Sequence, residues 1–389
     1  MRSALEGSQA IARAVALCKP GVVAAYPITP QTHIVENISK LVADGVLDCE
    51  LVSVESEFSA ASVVLGAAAA GARAYTASAS QGILLMSEVL YNIAGLRVPL
   101  VLTCANRAVG APINIWNDHQ DSMAVRDSGW IQLYCADNQE AVDTTIQAFR
   151  IAERTELPVM VCVDGFILTH LFEPIDLPSQ AEVDSFLPPY AFGRALDSTA
   201  PLSMGTLVGP EAFTETRHSL HAALERATDE IEAAAADWAA LVGRDTGGLV
   251  AVEGPDDARI GVMTIGSVHG TLSEALEDGE TDPVRLIRLR AFRPFPVEAI
   301  RQACAGLDDL VVVERALSPG AGAIVATEVR AALLGLSEAP RVHAFAAGLG
   351  GRDVPLALAQ RLIEATRDAE PTRFAIIDAD MELLAAADR

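Results

Sequence analysis

Three short segments gather residues able to bind and orient a small polar ligand: Tyr26-Pro27-Ile28-Thr29-Pro30, Ser80-Gln81-Gly82 and Ala105-Asn106-Arg107. Each follows a short apolar run of β-strand character. In parallel α/β sheets, ligands sit outside the carboxyl ends of the strands. A hydroxyl, an amide and a guanidinium at successive strand ends therefore suit one ligand. Arg107 could clasp a carboxylate through paired N–H···O bonds, or it could make an exposed salt bridge. Glu57 opens an apolar helical run. The helix macrodipole favours an acidic residue there whatever its function, and Glu55 is a neighbour of the same type. Chemistry alone leaves both roles open.

Other polar segments are less specific. Asn114-Ile115-Trp116-Asn117-Asp118-His119-Gln120-Asp121 holds two carboxylates and a histidine, but its spacing fits no standard metal pattern. It reads as a hydrogen-bonded loop at a site or interface. Asp164-Gly165-Phe166 matches a kinase trio by chance, because the chain has no glycine-rich loop with its lysine and no HRD segment. Gly348-Leu349-Gly350-Gly351-Arg352-Asp353 is not GxGxxG and reads as a turn. Cys18, Cys49, Cys104, Cys135, Cys162 and Cys304 form no closely spaced pair. They read as small buried hydrophobes in a reducing compartment, and no metal or cluster is expected on this chain.

The elements that must position these residues follow from periodicity. Strands are predicted at 22–26, 51–54, 74–77, 100–104 and 159–163, alternating with helices at 32–43, 57–70 and 83–94. That alternation predicts an α/β fold, a parallel sheet with helices on both faces. Residues 172–200 read as a connecting segment, 211–241 as an alanine-rich charged helix and 245–254 as a linker. A second unit begins at 260, with strands at 261–265, 284–289, 310–313 and 341–345, and a helix at 320–334. The expected division is a first domain over 1–240, with 172–254 including the connecting segment and helix, and a second over 255–389.

The balance of 52 acidic against 28 basic residues gives a net charge of −24. Such a field repels phosphate backbones, so no nucleic-acid partner is expected. The N-terminal residues lack the pattern of a signal peptide, and no apolar stretch is long enough to span a bilayer. The expectation is a cytoplasmic protein with no membrane partner.

Taken in order, YPITPQT (26–32), ESEFSAA (55–61), SQG (80–82), NRAVGAPINIWNDHQD (106–121), RDSGWIQ (126–132) and DGFILTH (164–170) resemble the alpha subunit of pyruvate:ferredoxin oxidoreductases. RAFRPFP (290–296), VVVERALSPGAGA (311–323) and GLGGRD (348–353) resemble the same subunit. The resemblance implies a pyrimidine-type thiamine-diphosphate-binding domain followed by a transketolase C-terminal-like α/β domain. It implies that Glu57 contacts N1′ of the cofactor's aminopyrimidine, with Pro27 also at the cofactor. Thr29 and Arg107 are implied to bind the substrate. The implied reaction is oxidative decarboxylation of a 2-oxoacid, pyruvate first, to acyl-CoA and CO₂. Electrons would reach ferredoxin through partner chains: a beta subunit with thiamine diphosphate, Mg²⁺ and a 4Fe-4S cluster, a gamma subunit and a ferredoxin-like delta subunit with further 4Fe-4S clusters. The alternatives are the same chemistry on phenylglyoxylate, 2-oxoisovalerate or oxalate, or a non-redox thiamine-diphosphate synthase subunit.

Overall fold

The strand–helix alternation resolves into two sheets and one small ribbon in a computed structural model, which describes residues 2–277 and 283–388. The first sheet has seven strands. Their order is Ala291–Arg293, Ile131–Tyr134, Val159–Asp164, Val101–Asn106, Ala74–Ser78, Val22–Ala25 and Glu50–Ser53. The six strands from the first half of the chain pair in parallel. Four of them, Ala74–Ser78, Val101–Asn106, Ile131–Tyr134 and Val159–Asp164, are buried along their whole length. Burial on both faces explains why all but Ile131–Tyr134 read as continuous apolar runs rather than alternating ones.

The second sheet runs Ala375–Ile376, Arg341–Ala346, Asp309–Glu314, Ile260–Thr264, Val284–Leu289 and Val250–Glu253. It is parallel except for Val250–Glu253, which pairs antiparallel with Val284–Leu289. The supposed linker at 245–254 thus carries an edge strand. Ala291–Arg293 leaves the second unit and adds antiparallel to Ile131–Tyr134 in the first sheet. One apolar cluster runs across the junction, joining Ile83, Met86 and Trp130 to Met263, Ile287, Phe292 and Val312.

The connecting segment at 172–200 is also more structured than its composition suggests. Phe172–Ile175 pairs antiparallel with Ser3–Glu6. Gln180–Phe186 is a helix started by a capping box, in which Ser179 and Glu182 satisfy each other's backbone N–H. The charged helix spans Pro210–Val242 and packs through Leu220, Ala227, Ile231 and Trp238, whereas residues 210–219 are almost wholly exposed. The helix expected at 320–334 begins only at Val325. The buried Glu314 carboxylate accepts the N–H groups of Ile324, Val325 and Ala326 and so sets its start.

Helix Thr32–Ala43 falls as predicted, and Glu57–Ala69 nearly so. The single helix predicted at 83–94 is instead two, Ser80–Leu85 and Ser87–Gly95, with the chain turning at Met86 (φ −85°, ψ 1°). Ser80-Gln81-Gly82 is therefore a first helical turn.

Candidate active site

Ser56 caps helix Glu57–Ala69, its hydroxyl accepting the Ser59 N–H at 3.2 Å. This places Glu57 at the first position of the helix, turned inward and only 7% exposed. Its carboxylate accepts no hydrogen bond among the described residues. It lies instead against Gly82. A Cβ added at Gly82 would come within 2.7 Å of Glu57 Oε1 and 2.4 Å of Ser78 Oγ. Ser78 Oγ is itself buried without a partner. An unpaired hydroxyl at such depth is costly, and sites of function are where such costs are kept. Glu55 differs: it is exposed and takes up Ser59 Oγ, which draws its carboxyl below the ordinary range.

The Tyr26–Pro30 turn is held from behind. Gln31 is fully buried, donates to Ala77 O at 2.9 Å and accepts the Ile28 N–H at 3.3 Å. Pro27 and Thr29 are left exposed. Arg107 reaches this turn. Its Nη1 donates to Thr29 O at 2.8 Å and its Nε to Asn114 O at 3.1 Å. Nη2 has no partner among the described residues. Burial lowers the Arg107 pKa, against the attraction of Asp121. The structure thus joins Thr29 and Arg107 directly. Glu57 meets them through an intermediary the sequence did not single out.

That intermediary is Asp121. It is fully buried, and its oxygens accept Ser80 N at 2.8 Å, Arg107 N at 3.0 Å, Asn106 Nδ2 at 2.8 Å and Ser122 N at 2.7 Å. Burial pushes its carboxyl up, and those four donors oppose the shift. One carboxylate therefore fixes both the arginine and the first turn of the Ser80–Leu85 helix, which carries Gly82 against Glu57. Four converging N–H groups around one acidic side chain have no local sequence signal beyond the dense polar run at 114–121.

The same run meets the second unit. His119 Nε2 lies 2.5 Å from Asp164 Oδ1, and Asp164 Oδ2 accepts Ser267 N at 3.0 Å, the Ser267 hydroxyl and Arg315 Nη1 at 3.2 Å. Burial pushes Asp164 up, but His119, Arg315 and Ser267 outweigh it and hold the carboxyl well below its usual range. Among the described residues Asp118 accepts only Gln120 N at 3.0 Å and Gly350 N at 3.2 Å. Burial raises its pKa to about 6. Asn114 Nδ2 donates to Gly350 O at 3.0 Å, and Gly351 N to Asn117 O at 2.6 Å. A Cβ at Gly351 would come within 2.3 Å of Trp116, so only glycine allows this approach. The GLGG segment is therefore an interdomain contact rather than a free turn. Asp164 of the kinase-like trio is a structural anion.

The donor set fits an aminopyrimidine: Glu57 offers a carboxylate without a hydrogen-bond partner among the described residues, held in place by the close approach of Gly82, where a Cβ would collide with Glu57 and Ser78. A cavity of about 830 Å³ elsewhere, lined by Arg126, Trp130, Leu220, Arg293, Phe295 and Val297 among others, contains none of Thr29, Glu57 or Arg107. No helix among the described residues is long and apolar enough to cross a membrane.

The family model described as pyruvate flavodoxin/ferredoxin oxidoreductase, thiamine-diphosphate-binding, matches residues 13–236. The pyruvate:ferredoxin oxidoreductase core domain II matches residues 258–357. Pyruvate synthase subunit PorA of Methanosarcina barkeri is 44% identical over 97% of this chain and 96% of its own length. Its counterpart from Methanothermobacter thermautotrophicus is 43% identical over 94% and 95%. The NADH-dependent phenylglyoxylate dehydrogenase alpha subunit of Aromatoleum evansii is 37% identical over 93% and 90%. Among solved structures, the 2-oxoglutarate:ferredoxin oxidoreductase of Magnetococcus marinus, with 2-oxoglutarate, coenzyme A and succinyl-CoA bound, superposes with a TM-score of 0.73 at 21% identity. That match covers 93% of this chain and 65% of the other, and shows the shared fold. A split-gene transketolase superposes at 0.52 with 13% identity, covering 92% and 94%. With both halves matched and relatives above 40% identical along nearly its whole length, the chain belongs to the pyruvate:ferredoxin oxidoreductase family.

Proposed function

We propose that this chain is the alpha subunit of a 2-oxoacid:ferredoxin oxidoreductase, with pyruvate as the first substrate, and that it supplies one half of a shared active site. The observation that carries this reading is Glu57: a buried carboxylate without a protein partner, tied through one hub, Asp121, to an arginine clamped on an exposed threonine turn. The proposed division is 1–240 for the thiamine-diphosphate-binding domain and 255–389 for the transketolase C-terminal-like domain.

Thiamine diphosphate supplies the nucleophilic carbon and the electron sink for decarboxylation. Glu57 would hold a proton at N1′ of its aminopyrimidine, where a carboxyl promotes proton transfer within that ring. Pro27, exposed at the head of the turn, would help to bind the cofactor. Arg107 Nη2 and the Thr29 hydroxyl orient the oxoacid carboxylate. The grip must stay moderate, since binding the ground state too tightly would raise the barrier to losing CO₂.

Exposed apolar side chains surround this face: Tyr26, Phe58, Leu85 and, at 87% exposure, Ile113. An apolar rim around a polar centre suits cover by another protein chain. A beta subunit holding the diphosphate, Mg²⁺ and a 4Fe-4S cluster fits that need, with gamma and delta subunits completing electron transfer to ferredoxin and coenzyme A taking the acyl group. A cytoplasmic location follows from such partners. The test is to purify the native complex and assay coenzyme-A-dependent viologen reduction with a panel of 2-oxoacids. Activity that requires thiamine diphosphate supports the class and names the substrate among pyruvate, phenylglyoxylate, 2-oxoisovalerate and oxalate. An intact complex that turns over substrate without reducing dye would point to a non-redox synthase.

A further inference from the structure

Glu6, His33 and His170 converge in a cluster that includes neither Glu57 nor Arg107. Glu6 ends the Ser3–Glu6 strand, His33 stands in the first turn of helix Thr32–Ala43, and His170 precedes the Phe172–Ile175 strand. His33 Nδ1 is 2.7 Å from Glu6 Oε1, and the two imidazole rings stack with centroids 4.6 Å apart. One carboxylate oxygen and one nitrogen from each ring lie within 4.8 Å of one another. We propose that Glu6, His33 and His170 form a binding site for a divalent transition metal of the zinc class.

The donor set selects the metal. Two imidazoles and one carboxylate suit zinc or cobalt, whereas Mg²⁺ prefers oxygen donors and keeps its waters. Three protein ligands leave a coordination position for water, and His33, with its side chain 45% exposed, keeps that position open to solvent. Metal–ligand distances of about 2.0–2.2 Å set tetrahedral ligands roughly 3.3–3.6 Å apart, so the 2.7 Å Glu6–His33 pair must open slightly and the widest separation, at most 4.8 Å, must close, both within reach of small side-chain rotations.

The supports are already built. Thr169 Oγ1 is 2.7 Å from His170 Nδ1 and accepts the Phe166 N–H at 2.8 Å. Thr169 O accepts both the N–H and the hydroxyl of Ser8, at 2.9 and 2.8 Å. A hydroxyl that fixes the second ring nitrogen is the kind of partner that orients a ligating imidazole. From His170 a ladder of rings continues through Phe166, at 4.8 Å, to Trp116, at 6.2 Å. Trp116 N donates to Asn114 Oδ1, and Asn114 O is the acceptor of Arg107 Nε. A metal here would brace the loop that stands behind the substrate arginine.

The test uses the full chain without a histidine tag. Titration with Co²⁺ should give one equivalent of d–d absorption and no thiolate charge-transfer band. Zn²⁺ should compete, and Mg²⁺ at equal concentration should not. His33→Gln, checked for folding by circular dichroism, should weaken Co²⁺ binding at least tenfold. No binding at micromolar Zn²⁺ or Co²⁺, undiminished affinity in a folded His33→Gln chain, or a thiolate band would each overturn the proposal. Should the variant not fold, zinc-edge X-ray absorption on the wild-type chain decides. A nitrogen/oxygen-only shell at about 2.0 Å with imidazole scattering supports the site, and a sulphur shell rules it out.

Discussion

Glu57 and Arg107 are each one side chain whose removal should leave the fold standing. In the native complex, Glu57→Gln should lower kcat by roughly 10²–10⁴-fold, the range for losing a positioned proton-transfer group. A rate equal to wild type would remove Glu57 from the mechanism. Arg107→Ala should act on the substrate instead, raising KM for the oxoacid about ten- to a hundredfold, as expected when a charge-assisted hydrogen bond of about 1.5–3 kcal/mol is lost. An unchanged KM would leave the arginine as a clamp on Thr29 alone. Gly82→Ala tests the geometry between them. The added methyl would meet Glu57 Oε1 at 2.7 Å and must displace it. Its kcat should fall toward that of Glu57→Gln, and the double variant should fall little further, because both lesions act on one contact. Additive losses would separate Gly82 from the carboxylate.

At the scale of elements, the long periodic runs were legible because periodicity is local: Thr32–Ala43 and Val284–Leu289 coincide with their predicted spans. The strand ends carrying Thr29 and Arg107 were legible for the same reason. Asp121 was not, since Ser80 lies 41 residues away and Arg107 14. Nor was the Asp164 cluster, whose partners are 45, 103 and 151 residues distant. Pairings across such separations leave no mark in spacing. The capping box at Ser179 could have been found, but proline and serine around it masked a helix of only 7 residues. The interdomain loop gives a pH prediction. Asp118 titrates near 6 in the folded chain against an ordinary 3.8, because burial disfavours its charge. Between those values the folded state holds a proton that the unfolded state has lost, so stability falls as pH rises and levels off above 6. Asp118→Asn removes the charge but keeps only one of the two acceptors, because Gln120 N and Gly350 N bind different carboxylate oxygens. Its effect on stability should therefore be more favourable at pH 8 than at pH 4, by about 1–3 kcal/mol, read as the difference in Tm change between the two. An equal shift at both values would mean that the carboxyl's charge is not the source.

At the scale of the whole molecule, Ala291–Arg293 means that the two units are not beads on a string. The strand comes from beyond residue 255 yet completes the sheet of the other half. A chain ending at 254 would leave Ile131–Tyr134 as a bare edge, with Phe292 missing from the cluster around Met86 and Trp130. Unpaired, apolar edges invite wrong pairing. Each half made alone should therefore be insoluble, or soluble only as aggregates. The two halves produced together should re-form a heterodimer that gel filtration places near the intact chain. A monomeric, cooperatively melting 1–254 fragment would contradict this. The chain is in that sense stitched rather than linked, and a gene break between its halves would be tolerated only where both pieces are made side by side.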